Sequence, residues 1–376
     1  MPRPVARDTA LRLPLLLLLA VTLAACNPFA SHDTNTGPAA SSFPHVTPGA
    51  AFLATTLQGE LLVEPDDGNT AIVREISQAR SSIDFTMYLF TEREVIDALK
   101  QARSRGVAVR GMLEQHPYGT GPGNDALFNE FTAAGLDMRW TNPAFRLTHE
   151  KALMIDQREA FILTLNFTHS AFTRNREFGV IDRAAADVAE VEAAFSADWN
   201  RTSFTPTLPH LVWSPVNARV RTIGLLESAR TSIDVFAEEL QDQQTEETLS
   251  AAARRGVAVR VVMPPLRDAN DTNGIGVRLV RDGGVKVHTL DAPYIHAKVF
   301  LVDGTTMFLG SENISTASLE SNREAGIIVN NADMIQRVQR AFDQDWATGQ
   351  DETEQAQHSS VSVGPAWGGD RPTDPR

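Results

Sequence analysis

Residues 149–156 read His-Glu-Lys-Ala-Leu-Met-Ile-Asp, and residues 296–303 read His-Ala-Lys-Val-Phe-Leu-Val-Asp. Both stretches place Lys two residues and Asp seven residues after the His, and an Asn follows at +17, Asn166 in one and Asn313 in the other. Agreement continues outward at an offset of 147: Asn175-Arg176-Glu177 returns as Asn322-Arg323-Glu324, and Asp198-Trp199 as Asp345-Trp346. Upstream the offset is 150. Ala79-Arg80-Ser81-Ser82-Ile83-Asp84 returns as Ala229-Arg230-Thr231-Ser232-Ile233-Asp234, and residues 105–110 (Arg-Gly-Val-Ala-Val-Arg) return as 255–260. A repeat this long means two copies of a whole α/β unit, not a solenoid.

Each copy has the same expected order. A helix (69–80; 217–230) leads into a strand from Ile83 or Ile233. A second helix (about 92–105; about 246–255) closes at Gly106 or Gly256, residues suited to a helix C-terminus. A Val-rich strand, a third helix ending near Gly135 or Gly283, a pair of strands (151–155 with 161–165; 298–302 with 307–309) and a closing helix complete the unit. Asp303-Gly304 suits the turn of the second pair. In a strand, residues i and i+2 point the same way, so His149 shares a face with Lys151, and His296 with Lys298.

The motif His-x-Lys-x4-Asp followed by Gly-Ser-x-Asn resembles that of the phospholipase D superfamily, over about residues 58–349. The second copy carries Gly310-Ser311-x-Asn313; the first departs from it, with Leu163-Thr164-x-Asn166. The resemblance implies two fused αβαβα-sandwich halves related by a pseudo-twofold, with one active site at their interface. It implies that one histidine attacks phosphorus and forms a phosphohistidine while the other protonates the leaving group. His149 is expected as nucleophile and His296 as general acid, by the family's usual order. Histidine suits both roles because its pKa lies near neutrality. Lys151 and Lys298 would bind the non-bridging oxygens, and Asn166, Thr164, Asn313 and Ser311 would donate hydrogen bonds to the phosphate. The family carries an acidic residue downstream that orients each imidazole, and Glu177 and Glu324 stand at the matching positions. Their alternative is a surface salt bridge with Arg176 or Arg323. Asp156 and Asp303 belong to the motif and so to the catalytic set, but both stand where a strand ends in a turn, and a structural role is the preferred reading. Leu163 in place of Gly would remove a close approach of backbone to phosphate. The lysines supply positive charge, so no metal or other cofactor is expected.

Weaker candidates are His116 in a Gly-rich loop and Tyr294 two residues before His296. Trp199 and Trp346 read as core. Residues 119–123 lack the Lys-Ser/Thr of a nucleotide-binding loop.

The ends read differently from the middle. Arg3, Arg7 and Arg12 precede an apolar run to Ala25, and Leu23-Ala24-Ala25-Cys26 resembles a bacterial lipoprotein signal. Residues 1–25 are expected as signal peptide, with Cys26, the only cysteine, as the lipidation site. Expected boundaries are a flexible tether (26–56), a first domain (57–200), a linker (201–215), a second domain (216–349) and a disordered tail (350–376). The protein is thus expected to be exported and held in the cell envelope by its lipid, as a monomer.

Formal net charge is −13. A nuclease that grips a phosphate backbone normally needs many Lys and Arg, which counts against nucleic acid as a partner. The leading expectation is a phosphodiesterase acting on the phosphatidyl group of phospholipids, hydrolysing it to phosphatidic acid. The alternatives are a cardiolipin-synthase-like transferase, an envelope nuclease and a scaffold with a decayed site.

Overall fold

The computed structural model describes residues 54–118 and 123–351. The expected signal peptide, Cys26, most of the tether and residues 352–376 lie outside the described residues.

The first half contains strands β1 (Gly59–Glu64), β2 (Ser82–Met87), β3 (Ala108–Leu113), β4 (Asp137–Trp140), β5 (Ala152–Ile155), β6 (Glu159–Leu163) and β7 (Asn175–Asp182). Its helices are α1 (Thr70–Gln78), α2 (Arg93–Ser104), α3 (Asp125–Ala133), α4 (His169–Thr173) and α5 (Ala185–Asn200). The second half contains strands β8 (Leu211–Ser214), β9 (Ser232–Phe236), β10 (Leu240–Gln241), β11 (Ala258–Met263), β12 (Lys286–Thr289), β13 (Tyr294–Ile295), β14 (Val299–Val302), β15 (Thr306–Gly310), β16 (Ile314–Ser315), β17 (Glu324–Val329) and β18 (Gln350–Asp351). Its helices are α6 (Ala218–Ser228), α7 (Gln243–Arg254), α8 (Asn273–Asp282), α9 (Thr316–Glu320) and α10 (Ala332–Thr348).

The sheets repeat each other. The first runs β1-β7-β6-β5-β2-β3-β4; the second runs β8-β17-β15-β14-β9-β11-β12, with β18 added at its edge. The central strands are buried on both faces, as their runs of Val, Ile, Leu and Phe require. Helix α2 buries Val95, Ile96, Leu99 and Ala102, the i, i+3, i+4 spacing of an amphipathic helix. It stops at Gly106, whose φ of 95° favours glycine; Gly256 repeats this at 93°.

The halves share one core. Met154, Ile162 and Phe178 of the first belong to the same buried apolar cluster as Phe236, Val299, Leu309 and Ile327 of the second. Phe178 and Phe236 meet with ring centroids 5.2 Å apart. This apolar seam is what sets one half against the other.

Some boundaries differ from expectation. The presumed linker 201–215 supplies β8, the counterpart of β1 and part of the second sheet. Thr55, expected in the tether, is hydrogen-bonded to Ile328 and Asn330 of the second half. Gln350 and Asp351, expected in the tail, pair with β12. Strand β7 and its counterpart β17 were not expected. Their apolar stretches follow directly on the charged Asn-Arg-Glu, which hides them from a pattern reading.

Candidate active site

The two His-x-Lys segments sit just before β5 and β14, not within those strands as expected. Each leaves its own sheet and docks on the other half. His149 N and Glu150 N both donate to the Arg323 carbonyl, at 2.9 and 3.0 Å. Tyr294–Ile295 pairs in parallel with Asn175–Arg176, and His296 N donates to the Arg176 carbonyl at 3.3 Å. Each histidine is thereby carried to the other half's Asn-Arg-Glu strand.

The orienting carboxylates are therefore crossed. His149 Nδ1 lies 2.8 Å from Glu324 Oε2, and His296 Nδ1 lies 2.7 Å from Glu177 Oε1. Both glutamates are fully buried. A carboxylate at Nδ1 keeps a proton there and leaves Nε2 for chemistry. Neither glutamate is a surface salt bridge. The adjacent arginines turn away to different partners, again crosswise: Arg176 to Asp345 (2.7 and 3.1 Å) and Arg323 to Asp198 (2.6 Å). Asn322 donates to Glu324 at 3.1 Å.

Lys151 and Lys298 are each 1% exposed. Lys151 Nζ donates to the His149 carbonyl at 2.6 Å and lies 5.1 Å from the centre of the Tyr88 ring. Lys298 Nζ donates to the His296 carbonyl and to Glu238 Oε2, the latter at 2.8 Å. Burial pushes Lys151 down to about 7, and Lys298 adds to that as a like charge. Burial and the neighbouring Lys151 charge also lower His149, against the pull of Glu324. His149 is thus neutral near pH 7, with an unprotonated Nε2. For Glu177 and Glu324, burial acts upward, but the paired histidine and the nearby lysine outweigh it and hold both carboxylates below their ordinary value.

The expected phosphate donors fare unequally. The Thr164 hydroxyl donates to Glu177 Oε2 at 2.6 Å and accepts from Phe178 N at 2.9 Å. It is committed to the protein and steadies the glutamate, so its expected phosphate contact is corrected. The Ser311 hydroxyl accepts from Ala325 N at 3.1 Å, and the Ser311 carbonyl faces His149 Nδ1 at 3.2 Å. Asn166 and Asn313 are buried, and their amide oxygens lack a hydrogen-bond partner among the described residues. Leu163 faces the core: a Cβ on Gly179 would lie 2.5 Å from its Cδ2. Gly310 in the second half instead leaves room for Glu312, whose Oε2 a Cβ there would meet at 2.3 Å. The Leu-for-Gly exchange is a core adjustment.

Asp156 and Asp303 are corrected from catalytic to structural. Asp156, at the far end of β5 from the site, accepts from the backbone N–H groups of Arg80, Ser81 and Ser82 and from the Ser81 hydroxyl. Asp303 does the same for residues 230–232. Each pins the helix-to-strand junction. Partial burial acts upward on Asp156, but these donors win and hold it down at about 2 against 3.8. Its stabilisation is present above pH 3.8 and fades as pH falls through 2. Asp156→Ala should cost about 1–2 kcal/mol for the lost acceptor, measured by denaturant unfolding, with kcat of the folded enzyme unchanged.

His116 is exposed in its loop. Trp199 is buried and stacks on Phe195, while Trp346 is partly buried against the core. Two residues of the site were not anticipated. Tyr88 packs edge-on to the His149 ring, centroids 4.6 Å apart. Glu238 Oε2 lies 3.4 Å from His296 Nε2. The 150-residue offset makes Tyr88 and Glu238 equivalent, the one available signal that this position lines the site.

The sequence profile of the family described as "Cardiolipin synthase, PLD-like domain" matches residues 72–199 and again 222–346. Cardiolipin synthase B of Salmonella typhimurium is 27% identical over 322 residues, covering 72% of this chain and 76% of its own. A cardiolipin synthase of Listeria innocua is 24% identical over 342 residues, covering 78% and 70%. Among solved structures, phosphatidylserine synthase of Haemophilus influenzae has a TM-score of 0.62 at 14% identity, over 81% of this chain and 90% of that one. Polyphosphate kinase of Porphyromonas gingivalis has a TM-score of 0.61 at 17% identity, over 76% and 46%. At such identities the two structures share the fold with this chain and nothing finer.

Proposed function

The chain belongs to the phospholipase D superfamily, and from that premise we propose that it transfers a phosphatidyl group from one alcohol to another through a phosphohistidine on His149. The observation that carries this is the crossed pocket: two His-Lys pairs, each imidazole backed by the other half's buried glutamate.

The steps follow from the proton inventory. Neutral His149 attacks phosphorus through Nε2, and the bond to the leaving alcohol breaks. The departing oxygen takes a proton from His296 Nε2. Lys151, Lys298 and the two asparagines stabilise the charge on the non-bridging oxygens. An acceptor hydroxyl then gives its proton to His296 Nε2 and attacks phosphorus. The P–N bond breaks and its electron pair returns to His149.

Water as acceptor gives hydrolysis to phosphatidic acid; an alcohol gives transfer. The relatives, cardiolipin synthases by name, favour the alcohol. Cardiolipin holds two phosphatidyl groups on one glycerol, so phosphatidylglycerol could serve as both donor and acceptor. A phospholipid substrate also accords with the N-terminal segment, which we read as a lipoprotein signal that tethers the enzyme to a membrane of the cell envelope. Acyl chains there would raise the local lipid concentration.

The test is incubation of the enzyme with phosphatidylglycerol vesicles in EDTA. Cardiolipin and free glycerol in equal amounts are expected, with His149→Ala inactive. Phosphatidic acid as the sole lipid product would replace transfer by hydrolysis. Cleavage of single-stranded DNA with the lipid left intact would replace both by a nuclease.

A further inference from the structure

The two half-sites differ in charge at the residue that faces each histidine and its lysine from the strand end beyond β2 or β9. After β2 the first half places Tyr88, whose uncharged ring packs against His149 and Lys151. After β9 the second half places Glu238, whose Oε2 lies 2.8 Å from Lys298 Nζ and 3.4 Å from His296 Nε2. These are the groups that the chemistry needs: the nitrogen left free by Glu177, and the ammonium meant for a phosphate oxygen.

We propose that the Glu238 carboxylate is a resident stand-in for the substrate phosphate at the second half-site, holding a proton on His296 Nε2 and occupying Lys298 until the diester displaces it. It is a positioning residue. It makes the two histidines unequal, so that His296 enters the reaction as the acid and His149 as the nucleophile. The inference rests on the two-histidine phosphodiester chemistry proposed above, but not on which alcohols are exchanged.

The charges around His296 support this. Glu177 faces Nδ1 and Glu238 faces Nε2, while Lys298 stands beside both carboxylates and His149 and Lys151 lie across the site. Burial acts upward on Glu238, but His296 and Lys298 outweigh it and hold it at about 2, so it is an anion throughout the working range. With carboxylates at both ring nitrogens, the imidazolium is the form that satisfies both. Lys298 donates to Glu238 and to the His296 carbonyl, which leaves less of it free for phosphate than Lys151 has.

Two readouts test the proposal. First, inorganic phosphate binding is measured by calorimetry at pH 6. Glu238→Gln should bind phosphate roughly tenfold more tightly than wild type, the scale of one competing anion in a partly desolvated pair. Glu238→Tyr, which installs the first half's residue, should shift binding the same way and guards against a folding artefact of one variant. Second, kcat/KM for a diester with an alkyl leaving group, which must take a proton as it departs, is followed against pH. Removing the carboxylate takes an acceptor away from His296 Nε2 and a supporting charge away from Lys151. The alkaline limb should therefore shift to lower pH by about one unit in Glu238→Gln. Equal phosphate binding in all three proteins, with an unmoved alkaline limb, would make Glu238 a mere strut for Lys298 and overturn the proposal. A wild type inert toward every diester would sink the phosphodiester reading instead, while the calorimetry would still decide the role of Glu238.

Discussion

Replacing His296 by alanine should leave an enzyme that is phosphorylated once and then stalls. With an aryl phosphodiester, whose leaving group needs no proton, attack by His149 Nε2 remains possible. The next step needs a base to take the proton of water or alcohol, and no His296 is there to take it. The expected result is a burst of one aryl alcohol per enzyme, followed by turnover slower by roughly 10³-fold. The label should stay on the protein as an acid-labile phosphohistidine at position 149. His149→Ala should show no burst and lose on the order of 10⁴-fold or more in kcat/KM. The pair separates the two roles that a symmetric pocket leaves exchangeable. A burst in His149→Ala and none in His296→Ala would reverse the assignment.

The crossed glutamates give the second large effect. Glu324 holds Nδ1 of His149, at 2.8 Å, although the two residues belong to different halves. Glu177 does the same for His296 at 2.7 Å. Glutamine at either position can present its amide to the ring and lose the proper tautomer, a change that costs between about 10²- and 10⁴-fold in related arrangements. The site of the damage should follow the crossing. Glu324→Gln should slow the burst itself, because it disables the nucleophile. Glu177→Gln should spare most of the burst with an activated aryl ester and slow the turnover that follows. Rapid-quench measurement of the burst rate decides it. With the histidine roles fixed by the alanine variants, the opposite pattern would mean that each glutamate serves the histidine of its own half.

These expectations rest on features of unequal visibility in the chain. The two-copy architecture is legible in the chain alone, because two registers of 147 and 150 residues leave no other reading of the motifs. The sequence also singled out the two histidines, the two lysines and the two orienting glutamates that the fold brings together, since residue types repeated at fixed spacing report a shared chemical need. Much of the strand and helix order followed from local periodicity, which needs only neighbours in the chain; β7, β8 and β17 did not.

Which glutamate serves which histidine is visible only in the folded molecule. That pairing arises because the His-x-Lys segments quit their own sheets and dock on the opposite half, a contact between residues about 120–175 positions apart. No local pattern encodes it. The same holds for Thr164, a presumed phosphate ligand that instead bonds a glutamate 13 residues on, and for Asp156, whose partners lie at the start of β2. Both residues have hydroxyl or carboxylate chemistry that fits either role, and only position chooses. Glu238 shows the limit most plainly. Its counterpart is a tyrosine, so the repeat marks the place, but the chemistry of that place exists only where two strands and two lysines from separate halves converge on one pocket.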